Sequence, residues 1–164
     1  MAKEIERKFL VKGNWHRDDE YPYKIKQGYL NTDPDRTVRI RIEYDPKQIW
    51  AWLTVKGRNQ GAVRNEYEVV LGDHITAEEM IDTTCLHVIH KTRTVQYHHG
   101  LKWEIDEFHG NNQGLIVAEI ELESEDQELI LPDWIGEEVT TDPRYYNSSL
   151  AIVPYTMWKY DETV

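Results

Sequence analysis

Hydrophobic and polar residues alternate along most of this 164-residue chain. Successive side chains of a β-strand point to opposite faces, so a period of two residues predicts strands. The alternating segments are rich in Ile, Val, Tyr, Trp and Thr, and short turns containing Gly, Pro, Asn or Asp separate them. The predicted strands cover residues 3–11, 23–30, 37–44, 48–56, 63–71, 87–97, 101–108 and 115–123.

Two further segments have the sequence pattern of short helices. Thr76-Ala77-Glu78-Glu79 fits a capping box ahead of the apolar residues from Met80 to Leu86. Asn147-Ser148-Ser149 supplies a cap for a second helix, which Pro154 limits. Tight turns between strands favour antiparallel pairing. We therefore predict a mainly β (α+β) fold, a sandwich or a closed barrel with a few flanking helices, in a single domain over 1–164 with its core at about 3–152.

The charge balance excludes two classes of partner. The chain has 19 Lys and Arg against 30 Asp and Glu, a formal net charge of −11. Nucleic acids and anionic membranes need a cationic face, so neither is expected as a partner. The lone Cys85 forms no internal disulfide, the first residues are charged, and no apolar run approaches the roughly 20 residues of a membrane-spanning helix. We expect a cytoplasmic protein, either a monomer or a homodimer.

The polar faces of the predicted strands are almost entirely ionic. Each strand places its charged residues two apart, opposite an apolar face of Ile, Val, Leu or Trp. The charged sets are Glu4, Glu6 and Lys8; Arg39, Arg41 and Glu43; Lys56; Glu66 and Glu68; Lys91 and Arg93; Lys102, Glu104 and Asp106; and Glu119, Glu121 and Glu123.

Alternation alone leaves two interpretations of these ionic faces open. In a half-buried antiparallel sheet the ionic face is simply the solvated one, which is the commoner arrangement. A solvated face usually mixes Ser, Thr, Asn and Lys, whereas these strands select Arg, Lys, Glu and Asp. Like charges two residues apart also repel, and a counter-charged ligand between them relieves the repulsion. The second interpretation rolls the sheet into a barrel whose ionic faces line the interior.

A charged barrel interior indicates phosphate chemistry. Guanidinium and ammonium groups match phosphate oxygens. The cations that would converge on a polyanion are Lys8, Arg39, Arg41, Lys56, Lys91 and Arg93. Carboxylates repel such an anion, but Mg²⁺ characteristically bridges carboxylates to substrate phosphates, and oxygen-only ligands favour Mg²⁺ or Mn²⁺ over Zn²⁺. The carboxylates available for this role are Glu4, Glu6, Glu66, Glu68, Asp106, Glu119 and Glu121.

The series of charged motifs resembles that of a known family. Glu4-Ile5-Glu6-Arg7-Lys8 matches the ExExK motif of the CYTH superfamily, the triphosphate tunnel metalloenzymes. The segments that follow in matching order are Gln27-Gly28-Tyr29-Leu30, Arg39-x-Arg41, Lys56-Gly57, Arg64-x-Glu66-Tyr67-Glu68, Lys91-Thr92-Arg93, Asp106-x-Phe108, Glu119-x-Glu121, 136–140 and Arg144-Tyr145. The resemblance covers residues 3 to about 152 and implies a closed antiparallel tunnel of about eight strands.

The resemblance also implies roles for individual residues. The carboxylates that look like metal ligands are Glu4, Glu6, Glu119 and Glu121, with Asp106 assisting. The cations that resemble the triphosphate-binding set are Lys8, Arg39, Arg41, Lys56 and Arg93, joined by Lys91. Glu66 or Glu68 orients those cations or joins a second metal. Tyr29 resembles the partner of Lys8 in a Lys–Tyr dyad that helps to activate water.

Three features stay open at this point. If Tyr29 faces the tunnel, Gln27 shares its side; the opposite choice puts Lys26 inside, and only the resemblance favours Tyr29. Neighbouring arginines would lower the pKa of Lys8 towards that of a general base, whereas the glutamates oppose this shift. Arg144 either reaches the tunnel from the C-terminal segment or lies on the surface.

The leading functional hypothesis follows from the resemblance to the short bacterial inorganic triphosphatases of the family. It is metal-dependent hydrolysis of tripolyphosphate to pyrophosphate and phosphate. An adenylate cyclase, or an organic triphosphatase acting on thiamine triphosphate or nucleoside triphosphates, would keep the same site, although no segment identifies an adenine pocket. A non-catalytic module that binds polyphosphate or nucleotides would use the cations but leave the paired glutamates without a purpose.

Overall fold

The computed structural model describes residues 3–16 and 21–158. Its strands are β1 (Lys3–Val11), β2 (Tyr23–Tyr29), β3 (Thr37–Tyr44), β4 (Ile49–Lys56), β5 (Val63–Leu71), β6 (His87–His98), β7 (Leu101–Phe108), β8 (Ile116–Glu121) and β9 (Ile135–Glu138). Its helices are α1 (His74–Thr84) and α2 (Asn147–Ile152), with 3-10 turns at Gly110–Asn112, Pro143–Tyr145 and Tyr155–Met157. No helix in these ranges has the length and apolar character needed to cross a membrane. The predicted domain also includes positions 1–2, 17–20 and 159–164, which lie outside the described residues.

The strands form an antiparallel sheet that closes on itself. Its order is β5-β4-β3-β2-β6-β7-β8-β1, and β1 pairs again with β5. The closing seam is short, running from the Lys3–Asn65 pair to the Ile5–Val63 pair. β9 adds a strand beside the second half of β1, where it pairs with Phe9. The predicted closed, eight-stranded antiparallel barrel is therefore confirmed, with β9 as an extra strand.

The hydrophobic core lies outside the barrel wall rather than within it. Ile81 of α1 packs with Ile40 and Ile42 of β3, and Leu150 of α2 packs with Ile89 of β6. The third cluster, around β7, β8 and the segment before β9, includes Phe9, Trp103, Ile105, Ile120 and Trp134. Interior and exterior positions alternate along every strand of a barrel. Apolar burial on the outside therefore leaves the interior to the charged positions.

α1 begins earlier than the predicted capping box. Its N-cap is Asp73, whose carboxylate accepts hydrogen bonds from the backbone N–H of Ile75 at 2.9 Å and from the Thr76 hydroxyl at 2.8 Å. Thr76 lies inside the first turn, so the prediction of a Thr76–Glu79 capping box is wrong. An aspartate is an equally good N-cap and also interacts favourably with the positive end of the helix dipole, which explains why the earlier position wins.

The C-terminal elements also differ from the prediction. α2 starts at Asn147 and has no side-chain cap, so the predicted capping role of Asn147 is wrong. β9 is absent from the predicted strands because four residues are too few for alternation to be distinctive. It forms by pairing with β1, a contact that is distant in sequence. The remaining strand bounds agree with the prediction to within two residues.

β2 and α1 approach so closely at Gly28 that a side chain does not fit. A Cβ atom here would lie 2.7 Å from the Sγ atom and 2.8 Å from the Cβ atom of Cys85. We expect Gly28→Ala to reduce the free energy of unfolding by about 1–3 kcal/mol, the usual cost of overpacking. Urea unfolding followed by circular dichroism measures the loss. The control is Gly72→Ala, since no atom of the described residues lies within 4 Å of a Cβ there; equal losses in both variants would contradict the close approach.

Candidate functional site

The barrel encloses a cavity of about 270 Å³ whose wall is built from the alternating charged positions. The predicted site residues that line it are Glu4, Glu6, Lys8, Tyr29, Arg39, Arg41, Lys56, Glu66, Glu68, Arg93, Glu119 and Glu121. The ionic faces therefore enclose an interior, and the interpretation that they are merely the solvated side of an open sheet does not apply.

Two arginines of β3 are placed to bind an anion in this cavity. Arg39 is 8% exposed, and its Nε atom has no hydrogen-bond partner among residues 3–16 and 21–158. A buried donor left unpaired costs about 1–3 kcal/mol, so an anionic ligand that accepts from it gains that stabilisation. Arg41 donates through Nε to Gln27 Oε1 at 2.8 Å, while its Nη1 atom is 3.8 Å from Glu43. The wall thus offers guanidinium groups whose protein partners are incomplete.

Lys8 lies in the cavity wall beside the start of α2. Its Nζ atom is 3.6 Å from Glu119 Oε1 and 5.6 Å from the centre of the Tyr146 ring. Burial alone would lower the pKa of Lys8, but the carboxylates of Glu119, Glu6 and Glu4 together raise it above its ordinary value. The balance that the sequence leaves open is therefore decided by the glutamates. Lys8 is an ammonium at neutral pH.

Carboxylates lie directly opposite each other on neighbouring strands of the barrel. Glu6 pairs in register with Glu121, and Glu104 pairs with Glu119. Like charges in this arrangement are destabilising unless a cation lies between them. Arg93 does this for one pair, with nitrogens 2.7 Å from Glu104 and 3.7 Å from Glu119. Neither Glu6 nor Glu121 has a Lys or Arg nitrogen within 4.0 Å in the part of the chain that the structure describes.

The carboxyls of Glu6 and Glu121 both have pKa values above the ordinary value. Burial, reinforced by Glu4, raises the pKa of Glu6. Burial together with Glu4 and Glu6 raises the pKa of Glu121. Both groups would gain from a cation brought in with a ligand, because a positive charge nearby favours the ionised form.

A divalent cation fits this carboxylate set when a phosphate shares it. Lys56 already bridges Glu4 and Glu66, at 2.9 and 3.3 Å. No three His, Cys, Asp or Glu groups are arranged as a complete metal site anywhere in the described ranges. Mg²⁺ does not need such a cage, because it is usually held by one or two carboxylates, several waters and substrate phosphates. Glu6 and Glu121 suit this mode.

Lys91 and Asp106 are not brought to the cavity. Asp106 is fully buried; its Oδ2 atom is 2.6 Å from Lys91 Nζ, and its Oδ1 atom is 2.7 Å from Arg93 Nε. Burial alone would raise the pKa of this carboxyl, but Arg93 and Lys91 hold it well below its usual range. Burial, helped by Arg93 and Arg41, lowers the pKa of Lys91 to about 7 against the pull of Asp106. The three charges form a buried ion cluster behind the lining, which holds Arg93 towards the cavity.

Tyr29 faces the interior, as the resemblance favours. Gln27 lies on the same side, and its Nε2 atom donates to the Tyr29 hydroxyl oxygen at 2.9 Å. Lys26 lies on the outer face, where its Nζ atom is 2.8 Å from Asp82 of α1. The two strand faces are thereby assigned.

Arg144 lies on the surface rather than in the tunnel. Its side chain is 53% exposed and pairs with Asp142 at 2.8 Å. Its guanidinium carbon is 4.8 Å from the centre of the Trp158 ring. Arg144 thus helps to pack the C-terminal segment and does not contribute to the cavity lining.

Several lining residues are not among the predicted site residues. They are Thr37, Glu43, Asn59, Gly61, Ala62, Arg64, Glu104, Thr140, Tyr146, Asn147 and Ser148. Alternation contains a signal for Glu43, Arg64 and Glu104, because each shares a strand face with a charged residue two positions away. It contains none for 146–148, because this segment comes from outside the strands and reaches the cavity only through the packing of α2.

Comparisons with known proteins agree with this geometry. The CYTH domain matches residues 2–151. An inorganic triphosphatase of Acetivibrio thermocellus is 43% identical over 162 residues, which are 97% of this chain and 99% of the relative. An inorganic triphosphatase of Nitrosomonas europaea is 36% identical over 153 residues, 91% of this chain and 97% of the relative.

A solved structure shows the same architecture. The crystal structure of the inorganic triphosphatase NE1496 superposes with a TM-score of 0.64 at 35% sequence identity, covering 91% of this chain and 97% of that one. Both the domain match and the relatives extend over nearly the whole chain, and most of the charged residues in the motifs that carry the resemblance line the barrel interior. The chain therefore belongs to the CYTH family.

Proposed function

We propose that the protein hydrolyses inorganic triphosphate (tripolyphosphate) to pyrophosphate and phosphate inside the barrel. The observation that carries the proposal is the buried Arg39 Nε atom, unpaired within the described ranges, at the wall of a cavity that also presents carboxylates short of cations. A polyanion would satisfy the first feature, and a divalent cation bound with it would satisfy the second. Two relatives that match over nearly the whole chain are inorganic triphosphatases.

The cations of the wall bind the substrate in this proposal. These cations lie on four strands around one cavity, so they can contact phosphate groups from several sides; they are Lys8 of β1, Arg39 and Arg41 of β3, Lys56 of β4 and Arg93 of β6. Fixed positive groups stabilise the charge on the phosphoryl oxygens without reorganising during the reaction. Their pairing with carboxylates holds them in place before the substrate arrives.

We propose Mg²⁺ or Mn²⁺ as the cofactor, held by the carboxylates of Glu4, Glu6, Glu119 and Glu121. When bound, such an ion neutralises phosphate oxygens and draws electron density towards them. Asp106 is not included, because Arg93 and Lys91 occupy its oxygens; we propose that Asp106 and Lys91 position Arg93 instead.

The remaining carboxylates of the predicted site support the cations. Glu66 orients Lys56 through the 3.3 Å contact. Glu68 accepts a hydrogen bond from Thr54 at 3.5 Å, which holds its side chain at the wall. We propose that both tune the charge of the cavity rather than contact the reacting phosphate.

Hydrolysis requires water in line with the bond that breaks. Water attacks the terminal phosphorus, the bridging P–O bond breaks, and pyrophosphate leaves with the electron pair, while the proton released by the water passes to a phosphate oxygen or to solvent. We propose that the Tyr29 hydroxyl positions this water, and that the Lys8 ammonium binds an oxygen of the attacked phosphate. This keeps the Lys8–Tyr29 dyad but makes Lys8 a cation rather than a general base, in agreement with its raised pKa.

We also propose that the protein acts in the cytoplasm on a free small molecule. Cys85 is a free thiol, as a reducing compartment favours. The net charge of −11 disfavours nucleic acids and anionic membranes as partners.

Parallel assays of tripolyphosphate, ATP and thiamine triphosphate, each with Mg²⁺ or Mn²⁺, test the proposed substrate. We expect kcat/KM for tripolyphosphate to exceed that for both organic substrates by at least about tenfold, since the wall carries charged and polar groups for phosphates rather than an apolar pocket for a base. Cyclic AMP formed from ATP faster than phosphate is released would support a cyclase instead. Tight binding of tripolyphosphate without turnover would support a non-catalytic binding module.

A further inference from the structure

The side chain of Asn147 makes half-buried contacts that helix capping does not explain. It stands at the first residue of α2, where no side chain caps the helix, and it lines the cavity. Its Oδ1 atom accepts two hydrogen bonds, from Gln27 Nε2 at 3.0 Å and from Lys91 Nζ at 3.0 Å. One amide oxygen of α2 thus links two strands of the barrel, β2 and β6.

Cations fix the orientation of both amides in this network. As an ammonium held by Asp106, Lys91 donates through Nζ, so the oxygen of Asn147 faces it. Arg41 carries only donors, and its Nε atom donates to Gln27 Oε1 at 2.8 Å. The NH₂ group of Gln27 therefore points the other way, towards Asn147 and Tyr29.

The orientation of Gln27 determines what the Tyr29 hydroxyl can do. Gln27 Nε2 donates to the Tyr29 oxygen at 2.9 Å, so on the wall side this hydroxyl acts as an acceptor. The Arg39 guanidinium also contacts this oxygen as a donor. A phenol has one proton, which neither donor can accept, so that proton is left for donation towards the cavity that Tyr29 lines. Gln27 is completely buried, so water does not compete for these contacts.

We propose that Asn147 is a positioning residue for the reaction. By accepting from Gln27 and Lys91 together, it holds the Gln27 amide in the orientation that directs the Tyr29 proton to the attacking water. This inference rests on the proposed function, in which Tyr29 positions the water.

The variants of Asn147 separate loss of its oxygen from loss of the helix. We expect Asn147→Ala to lower kcat for tripolyphosphate about 10- to 100-fold with a smaller change in KM, the usual cost of losing a group that orients a catalytic one. Asn147→Asp keeps an acceptor for both donors and is expected to retain kcat within a few-fold. Ser149→Ala, in the same helix but outside the described lining, is the control and should match the wild type. Wild-type kcat in Asn147→Ala would overturn the proposal, as would an equal loss in Asn147→Asp.

A second variant tests the same contact without touching α2. Gln27→Glu keeps an acceptor for Arg41 but replaces the donor to Tyr29 with an oxygen. We expect the same 10- to 100-fold loss of kcat, with thermal unfolding measured in parallel to confirm a folded protein. Wild-type kcat in a folded Gln27→Glu variant would overturn the proposal even if Asn147→Ala does not fold.

A double-mutant cycle with Tyr29→Phe distinguishes positioning from a general structural role. If Asn147 acts through the Tyr29 hydroxyl, Asn147→Ala should cost little further kcat once that hydroxyl is gone. Losses that multiply would overturn the positioning role. Wild-type kcat in Tyr29→Phe alone would instead contradict the role of Tyr29 in the proposed function, so the two failures give different results.

Discussion

The Lys8→Ala variant is expected to lose kcat/KM for tripolyphosphate by about 10²- to 10³-fold, while the barrel stays folded. Lys8 lines the cavity, and its ammonium faces Glu119 at 3.6 Å rather than a core contact. Removing it deletes a fixed positive charge next to the phosphates. It also leaves the neighbouring carboxylates less neutralised, which adds repulsion against the substrate.

The control for Lys8 is a lysine on the other face of the barrel wall. Lys26 pairs with Asp82 of α1, outside the cavity. Lys26→Ala changes the net charge by the same amount as Lys8→Ala. Because Lys26 lies outside the cavity, this variant should retain wild-type turnover. Phosphate release at several substrate concentrations gives kcat/KM, and circular dichroism confirms the fold. Comparable turnover in the two variants would remove Lys8 from the site.

Asp106→Asn is expected to be the most destabilising conservative change in the barrel. The carboxylate neutralises Lys91 and Arg93, which are 1% and 5% exposed, with contacts of 2.6 to 2.9 Å. The NH₂ group of an asparagine would face the N–H donors of Lys91 or Arg93. The positive charges of these two buried side chains would then lack a neutralising carboxylate. Breaking a buried ion pair in this way costs about 3–5 kcal/mol. Urea unfolding at neutral pH measures the loss.

The pH dependence of stability gives a second readout for Asp106. Its pKa in the folded protein is held below the ordinary value, so its ionised form stabilises the fold at any pH above the pKa of about 4 in the unfolded chain. That stabilisation is lost as the pH falls below this value, because the unfolded carboxyl takes up its proton first. The range from pH 5 to pH 3 extends about one unit to either side of that pKa. Over this range we expect the free energy of unfolding to fall less steeply in Asp106→Asn than in the wild type.

A surface carboxylate provides the comparison for this effect. Asp82 pairs with Lys26 at 2.8 Å but is 62% exposed. Exposed ion pairs contribute about 0–1 kcal/mol, so Asp82→Asn should unfold at nearly the wild-type urea concentration. An unfolding midpoint of Asp106→Asn as close to the wild type as that of Asp82→Asn would contradict the buried ion cluster.

Much of the barrel wall follows from sequence because strand geometry is strictly periodic. A period of two residues places Arg39 beside Arg41 on one face whatever the rest of the chain does. The same period places Glu6 on the face of Glu4 and Lys8. The clustering of like charges then makes a ligand-lined interior a better explanation than a solvated face.

Alternation does not predict how deep each residue lies. Lys91 shares the inward face with Arg93. However, α2 covers that part of the barrel, and Asn147 Oδ1 accepts a hydrogen bond from Lys91 Nζ. Asp106 lies directly across from Arg93 in the register of β6 and β7, where it is bound by cations from both sides. These outcomes depend on contacts between segments distant in sequence. Because β9 and the contribution of 146–148 to the cavity also depend on such contacts, alternation does not predict them either.

The most direct test of the account is ³¹P NMR of tripolyphosphate incubated with the protein and Mg²⁺. We predict that the triphosphate signals disappear while pyrophosphate and phosphate appear in equal amounts, and that the Lys8→Ala variant leaves the triphosphate intact over the same period. Unchanged tripolyphosphate with the wild-type protein, or the same product formation by both proteins, would contradict hydrolysis in the charged interior of the barrel.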